Sequence, residues 1–540
     1  MKYNFDTTPD HKTNASFRWG MADMPSDVIG MGTADLDYYC APCIRETLLP
    51  IAEENCYNYR QHTDAYYDAV TGWYKRNYGL TVEREWLSNV PSTVGAIRMA
   101  LSIFAKPGDT VIAQTPLFGP IKNAVEGADQ QLIENPLKPV DGHYEIDFED
   151  FEEKIHKYHP SIFLLINPHN PTGRVFTREE LERLVDICYE NGVRIISDEV
   201  HCLVLYGENK HIPILAVSRK AQEISVQIVS LSKGFNIMSL PHAIITVAEP
   251  GMRAAWMRQI QAYGFGYAVN SFSIAAVTSI MNGEADEWLE ELTAYLHKNL
   301  EETLEFIHKY KLPLVPYVPE GSFLLWLDCR QAGIGTECLD RFFMEKAHIH
   351  LDDGKENFGN EGAGFIRINF AVTNEVLKVA KCFGVPVEAE IGELLRLDDA
   401  GAVMENKNIV DPEEVRRFLS LCQPDSLAIG IGNAHGYYKG EPDIHLDVLE
   451  NVRKFTDMPL VLHGCTGMKD EIVKDAIKLG VAKINFGTEI RYKYVQHYEE
   501  ALKELNHQGH SWKLSQFANE RLQEDVRRII RLAGSDGKVK

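Results

Sequence analysis

Long apolar runs are missing from this chain: no stretch approaches the roughly 18 uninterrupted apolar residues of a membrane span, and the opening MKYNFDTTPDHKTN has no signal-peptide core. Basic charge is scarce too. Lys plus Arg number 55 against 78 Asp plus Glu, and the formal net charge of -23 opposes attraction to phosphate backbones or anionic lipid. Cysteine is thin, ten residues scattered singly apart from Cys40 and Cys43, with no second pair at zinc-ribbon spacing, so buried or idle thiols are the plain reading. These absences predict a soluble, cytoplasmic chain with neither a membrane nor a nucleic-acid partner. Length is not lacking: 540 residues call for two or three domains.

Between Trp86 and Asp198, strand-like runs (DTVIAQT, SIFLLIN, RIISDEV) alternate with helical patterns that start near Ser92, at Gly119 and at TREELERLVDICYENG. That alternation predicts an α/β domain with a mostly parallel sheet. It continues through SVQIVSLSK and HAIITVA, and a long polar helix then leads into a smaller α+β section ending in the strand FIRINF. Beyond Thr373 four further strand candidates (VPVEAEIG, DSLAIGIG, PLVLHGC, AKINFGT) each precede a helical stretch, and four βα units make half of an eight-unit barrel. No Gly-, Pro- or Ser-rich linker divides the parts, and the join falls inside NEVLKVAKCFG. The expected domains are 1–379 and 380–540, the first with a large part at about 45–275 and a small part at about 1–44 plus 276–379.

Five features of the first part suit a pyridoxal-phosphate site. Lys233, after VQIVSLS, emerges at the carboxyl end of the sheet, where α/β proteins collect ligands, although a lone lysine is usually a solvated charge. Asp198 at the end of RIISD reaches the same edge, where a buried carboxylate keeps a pyridine nitrogen protonated; an isolated Asp there is more often a helix cap. Asn170 in NPHNPTG suits a hydrogen bond to the ring hydroxyl, or simply a turn. In VPSTVGAIRMAL a helix start offers free N–H groups to a phosphate, with capping by Ser92 as the bland alternative. Arg367, inside FIRINF, suits bidentate pairing with a carboxylate.

With these residues in this order, most of 1–379 resembles the fold-type I aminotransferase superfamily, within it the MalY/PatB group of cystathionine and cysteine-conjugate β-lyases. The stretches that carry the likeness include TADLDYYCAPCI, NPHNPTGRVFTREEL, SDEVHCLVLYG, SLSKGFNI, EGSFLLWLDCR and RINFAVTNE. The resemblance implies that Lys233 holds the cofactor covalently and acts as acid and base, Asp198 meets the ring nitrogen, Asn170 and His201 lie by the ring oxygen, and Arg367 takes the substrate carboxylate. It gives Phe118 the stacking place usual for a Tyr, and makes Ser230 and the backbone of Thr93 and Val94 phosphate candidates. It also implies a homodimer, with Tyr59 reaching the neighbour's phosphate. His201, where many aminotransferases carry Tyr, favours the lyase branch. Gly32 departs from the aromatic residue of the usual MWVADMDF, and VPSTVG from PGVVP. The implied reaction is cleavage of an amino acid with sulfur on Cβ to thiol, pyruvate and ammonia, with transamination as the alternative.

The tail resembles the carboxyl-terminal half of class II fructose- or tagatose-bisphosphate aldolases through VPVEAEIG, IGNAHGYYKGEP, PLVLHGCTG and KINFGTE. By that resemblance His435 and His463 are two ligands of a catalytic zinc, and Gly464, Thr466, Gly487 and Thr488 cradle a ketose phosphate. A catalytic zinc normally takes three protein ligands, and residues 1–379 hold no counterpart for the third histidine or the proton-moving aspartate. The expectation is therefore an incomplete aldolase half, or a metal-binding or assembly module.

Overall fold

The structure, a computed structural model, describes residues 2–11, 16–19, 28–140, 142–266, 269–335, 339–373, 376, 388–391, 395–396, 409–421, 426–435, 443–505 and 510–538. Two compact units divide the chain, Met1–Cys382 and Phe383–Lys540. The helix-like run NEVLKVAKCFG, apart from Val376, lies outside the described residues.

In the first unit, runs rich in β-branched residues form seven strands: β1 (Leu87–Val90), β2 (Thr110–Thr115), β3 (Gln131–Pro136), β4 (Ile162–Ile166), β5 (Arg194–Asp198), β6 (Ser225–Val229) and β7 (Ala243–Thr246). Their spatial order is β1-β7-β6-β5-β4-β2-β3. Neighbours from β3 to β6 are parallel, while β7 runs antiparallel to both β6 and β1. Every residue of β4 and β6 is buried, as expected for a parallel sheet covered on both faces. Val111, Ile162, Ile196, Val226 and Ile245 join Trp256 and Met99 in its core, and burying each such aliphatic side chain stabilises the fold by about 1.5–3 kcal/mol. The chain steps from β2 outward to β3 and back to β4 on the other side, so the order reverses between β2 and β4. At such a reversal the crossing connections part, leaving a crevice at the strands' carboxyl ends.

Helix starts are set by side chains that satisfy the first N–H groups. Ser92 Oγ accepts from Gly95 N at 3.0 Å ahead of helix Thr93–Phe104. Thr177 and Glu180 form a reciprocal capping box on helix Arg178–Glu190.

A second sheet holds β8 (Val315–Tyr317), β9 (Leu324–Asp328), β10 (Asp352–Asp353) and β11 (Phe365–Asn369), antiparallel in the order β8-β9-β11-β10. Its register sets Arg367 between Trp326 and Asp352. Trp326 stacks on Phe365 with centroids 5.1 Å apart, stiffening the strand that carries Arg367. The turn from β10 to β11 needs glycine: a Cβ on Gly354 would stand 2.1 Å from Gly362 O.

A strap at residues 28–38 completes this unit. Fully buried Arg18 holds it by pairing with Asp35 at 2.8 Å and Asp37 at 3.1 Å and by donating to Gly30 O at 2.6 Å. Asn236 donates to the Leu36 and Tyr38 carbonyls, and Asn369 to those of Thr33 and Asp35. Four amide-to-backbone bonds and two ion pairs fix a segment that has almost no regular structure of its own.

In the second unit β12 (Glu388–Ile391), β13 (Ser426–Ile429), β14 (Leu460–Leu462) and β15 (Val481–Ile484) pair in parallel and in chain order. Helices Pro412–Leu421, Leu446–Arg453 and Asp470–Lys478 intervene, and Thr488–Glu504 and Ser511–Leu532 follow. Of the half-barrel expectation, the described residues give the parallel strands in sequence and the helices between them. This unit has its own core, with Leu427, Ile429, Val452, Leu460, Leu462 and Val473 among its members. Among the described residues no helix is long and apolar enough to cross a membrane.

Candidate active site

Five strand ends of the large sheet converge. Ser92, Thr93 and Val94 follow β1, Phe118 follows β2, Asn170 follows β4, Asp198 ends β5, and Ser230 and Lys233 follow β6. With the strap and Arg367 they line one cavity of about 460 Å³. All five strands point the same way, so residues far apart in sequence arrive at a single edge.

Lys233 lies in the one-turn helix Ser232–Phe235, and its Nζ donates to Ala34 O at 2.6 Å. Burial lowers its ammonium to about 8, Arg367 adds to the effect, and Asp35, Asp198 and Asp352 oppose it. Burial also pushes the Asp198 carboxyl up to about 6, although its Oδ1 accepts the Val200 N–H at 3.2 Å. His201 is buried with Nδ1 2.9 Å from Ser322 Oγ. Burial, then the charges of Lys233 and Arg367, push its imidazole well below the usual range, so it is neutral at physiological pH.

Arg367 donates from Nη1 to Asn170 Oδ1 at 2.9 Å, and from Nη2 to Asp352 Oδ2 and to Gly32 O at 3.3 Å. Its Nε is buried without a hydrogen-bond partner. The guanidinium lies over the Phe358 ring at 4.9 Å and faces Phe118 at 5.9 Å. Ser230 Oγ sits 3.0 Å from both His242 O and Ser232 Oγ, across the cavity lining from the start of helix Thr93–Phe104. Ser92 is the cap of that helix while also lining the cavity. Tyr59 does not line the cavity and is 87% exposed.

Sequence reading does not find Asp352, His242 or the strap carbonyls among these lining groups. HLDDGKEN reads as an acidic turn, and only the pairing of β10 with β11 carries Asp352 to Arg367. His242 sits twelve residues beyond Ser230, after a bend that periodicity does not mark.

In the second unit His463 directly follows β14, and its carbonyl accepts from Asn433 Nδ2 at 3.0 Å. The backbone of Ala434–His435 pairs with Leu395–Arg396, while the His435 side chain lies outside the described positions. Among the described residues no three His, Cys, Asp or Glu side chains gather as a metal site. Gly464 and Thr466 turn away from β14, and Gly487 and Thr488 open helix Thr488–Glu504. Thr466 Oγ1 accepts from Glu489 N at 3.2 Å, so the two expected phosphate loops do meet.

Residues 26–381, well over half of the chain, match the family model described as aminotransferase class I and II. The chain belongs to this family. Among its relatives is cystathionine beta-lyase PatB of Bacillus subtilis (strain 168), 34% identical over 371 residues that span 68% of this chain and 95% of the relative. A PLP-bound C-S lyase from Staphylococcus hominis has the same fold with a TM-score of 0.66 and 28% identity, covering 72% of this chain and 99% of the other. Residues 366–538 also match the model described as fructose-bisphosphate aldolase class-II. Over 197 residues the chain is 34% identical to the uncharacterised YdjI of Escherichia coli (strain K12), spanning 36% of this chain and 69% of that one. The two family matches overlap at 366–381, yet β11 pairs with β9 and β10 inside the first unit.

The residues present fit pyridoxal phosphate, the cofactor of the aminotransferase class I and II family. They supply a buried amine of lowered basicity, a buried carboxylate at a strand end, an aromatic ring, and a helix start beside serine hydroxyls.

Proposed function

We propose that the first unit is a pyridoxal-phosphate carbon–sulfur β-lyase that cleaves L-cystathionine or another cysteine S-conjugate. The observation that carries this reading is the meeting, in one cavity, of a low-basicity lysine, a buried Asp at a sheet end and an arginine fit for a carboxylate. The carbon–sulfur specificity rests on the lyase activities for which PatB and the Staphylococcus hominis enzyme are named.

When bound, pyridoxal phosphate supplies an aldehyde for an amino group and a ring that withdraws electrons from Cα. Lys233 would hold it, Asp198 would keep its ring nitrogen protonated, Asn170 and His201 would attend its ring oxygen, and Phe118 would stack. Ser230 with the N–H groups of Thr93 and Val94 would take its phosphate. Arg367 binds and orients the substrate carboxylate. The Lys233 amine, neutral in a growing fraction as pH approaches 8, accepts the Cα proton; general-base help of this kind supplies roughly 10²–10⁴ in rate. The Cβ–S bond breaks with its electron pair leaving on sulfur as a thiolate, which takes up a proton to become the thiol. Water provides the oxygen of pyruvate, and the substrate nitrogen leaves as ammonia.

A homodimer belongs to the same reading, because Tyr59 projects into solvent away from its own cavity, free to reach a second copy's phosphate site. The unit boundaries at 1–379 and 380–540 are proposed likewise. For the second unit the proposal is an aldolase-like half without a complete zinc site.

Purified protein supplied with L-cystathionine should release thiol and pyruvate, and Lys233→Ala should lose pyruvate release while keeping the parent's circular-dichroism spectrum. Equal release by the variant removes the role of Lys233. Product only from alanine plus a keto acid makes the chain an aminotransferase.

A further inference from the structure

The guanidinium of Arg367 is already spoken for. A carboxylate can bind a guanidinium bidentately on two edges, end-on through Nη1 and Nη2 or side-on through Nε and Nη2. Both edges include Nη2, and Nη2 is the nitrogen that Asp352 Oδ2 and Gly32 O hold. Nη1 is engaged by Asn170, and the remaining Nε is buried with no partner. Asp352 is no accidental surface acid: it lies opposite Arg367 in the β10–β11 register and lines the same cavity as Lys233.

Gly32 is what admits it. A Cβ at position 32 would stand 2.8 Å from Asp352 Oδ1 and 3.2 Å from its Cγ. Any larger residue there meets the carboxylate first and the Leu351 backbone carbon at 3.2 Å next, so the side chain of Asp352 is the part able to give way, and a glycine on the strap and an acid on β10 form one device. Resting on the reading of Arg367 as the substrate-carboxylate residue, we propose that Asp352 is a resident competitor for that site, which an incoming carboxylate must displace from Nη2. Gly32 sets how firmly it is seated. Asp352 thus acts as a specificity-determining positioning residue: ligands able to grip Arg367 by two oxygens replace it, and weaker anions do not.

Calorimetric titration of the cofactor-loaded full chain with propionate, a carboxylate with no amino group, tests this apart from turnover. Asp352→Asn should tighten propionate by roughly tenfold, the order expected when one charge-assisted contact no longer competes. Gly32→Ala, which shifts the carboxylate without changing the charge of the site, should move affinity the same way. In the parallel kinetics KM for the amino-acid substrate should fall in both variants. Unchanged or weaker propionate binding in both variants, with Arg367→Gln abolishing it, overturns the competition while leaving Arg367 in its role. If Arg367→Gln binds propionate as the parent does, the carboxylate reading of Arg367 fails, and this inference with it. A purely structural function for Asp352 would loosen the site and weaken binding, the opposite sign.

Discussion

Lys233 and Asp198 carry shifts of opposite chemical sense from one cause, burial beside a cavity. For Lys233 the folded value of about 8 lies below the ordinary 10.5. The folded protein without cofactor therefore disfavours the ammonium: the cost is full below pH 8 and disappears as pH climbs from 8 toward 10.5. Lys233→Met should raise the melting temperature of cofactor-free protein at pH 7, with the gain shrinking above pH 8. The rate at which cofactor-free protein captures pyridoxal phosphate, followed by visible absorbance, should rise with pH about a midpoint near 8; a midpoint above 10 would contradict the assigned environment. Lys233, Asp198 and Asn170 are legible in the sequence because each sits at or just past the end of an apolar run, where chain direction alone sends it to the ligand edge; Phe118 is reached only through the family resemblance. Asp352 is not legible, and Gly32 shows in the sequence only as a departure from the family pattern. Their meeting depends on strand register and on how the strap lies, and both are long-range facts that local pattern does not encode.

The strap at 28–38 shows how an element with little regular structure is fixed by side chains from elsewhere. Arg18 is its anchor, and removing it would leave Asp35 and Asp37 facing each other without its guanidinium, with Trp19 and His11 still beside Asp37. Burial already raises the Asp37 carboxyl against the pull of Arg18. Arg18→Ala should cost about 3–5 kcal/mol in denaturant unfolding, the usual penalty for stranding a buried charge. A loss under about 1 kcal/mol would mean that Asn236, Asn369 and the backbone pairing of Ile29–Gly30 with Ile349–His350 hold the strap without it. Helix Arg178–Glu190 offers a smaller contrast: Thr177→Ala removes half of its capping box and should cost about 0.5–2 kcal/mol. Five of the large-sheet strands and helix Arg178–Glu190 are readable in sequence, since apolar runs end at turn residues and the capping residue stands where the helix begins, but the edge strands LSNV and QLIENP carry too few apolar residues to show. The two-residue strand β10 and the strap are not, being too short for any periodicity.

The two units own separate cores, one built from residues between Val90 and Ile260 and the other between Val410 and Leu532. A domain with its own core unfolds as its own cooperative step. The full chain should therefore give two calorimetric transitions, and a shortened form ending at Cys382 should keep one of them at an unchanged midpoint; a single shared transition would show that the units depend on each other. The change of texture beyond Thr373 announces the second unit in the sequence, because the βα alternation restarts there. Where one unit yields to the other is harder to read, since the join carries no Gly-, Pro- or Ser-rich stretch.

The shared stretch at 366–381 has a practical edge. Anyone excising the aldolase-like part at the start of its family match would carry off most of β11, and the guanidinium at position 367 with it. On the proposed reading the remaining amino-terminal fragment would keep Lys233 but lose the residue assigned to the substrate carboxylate, and with Asn369 two of the bonds that fix the strap.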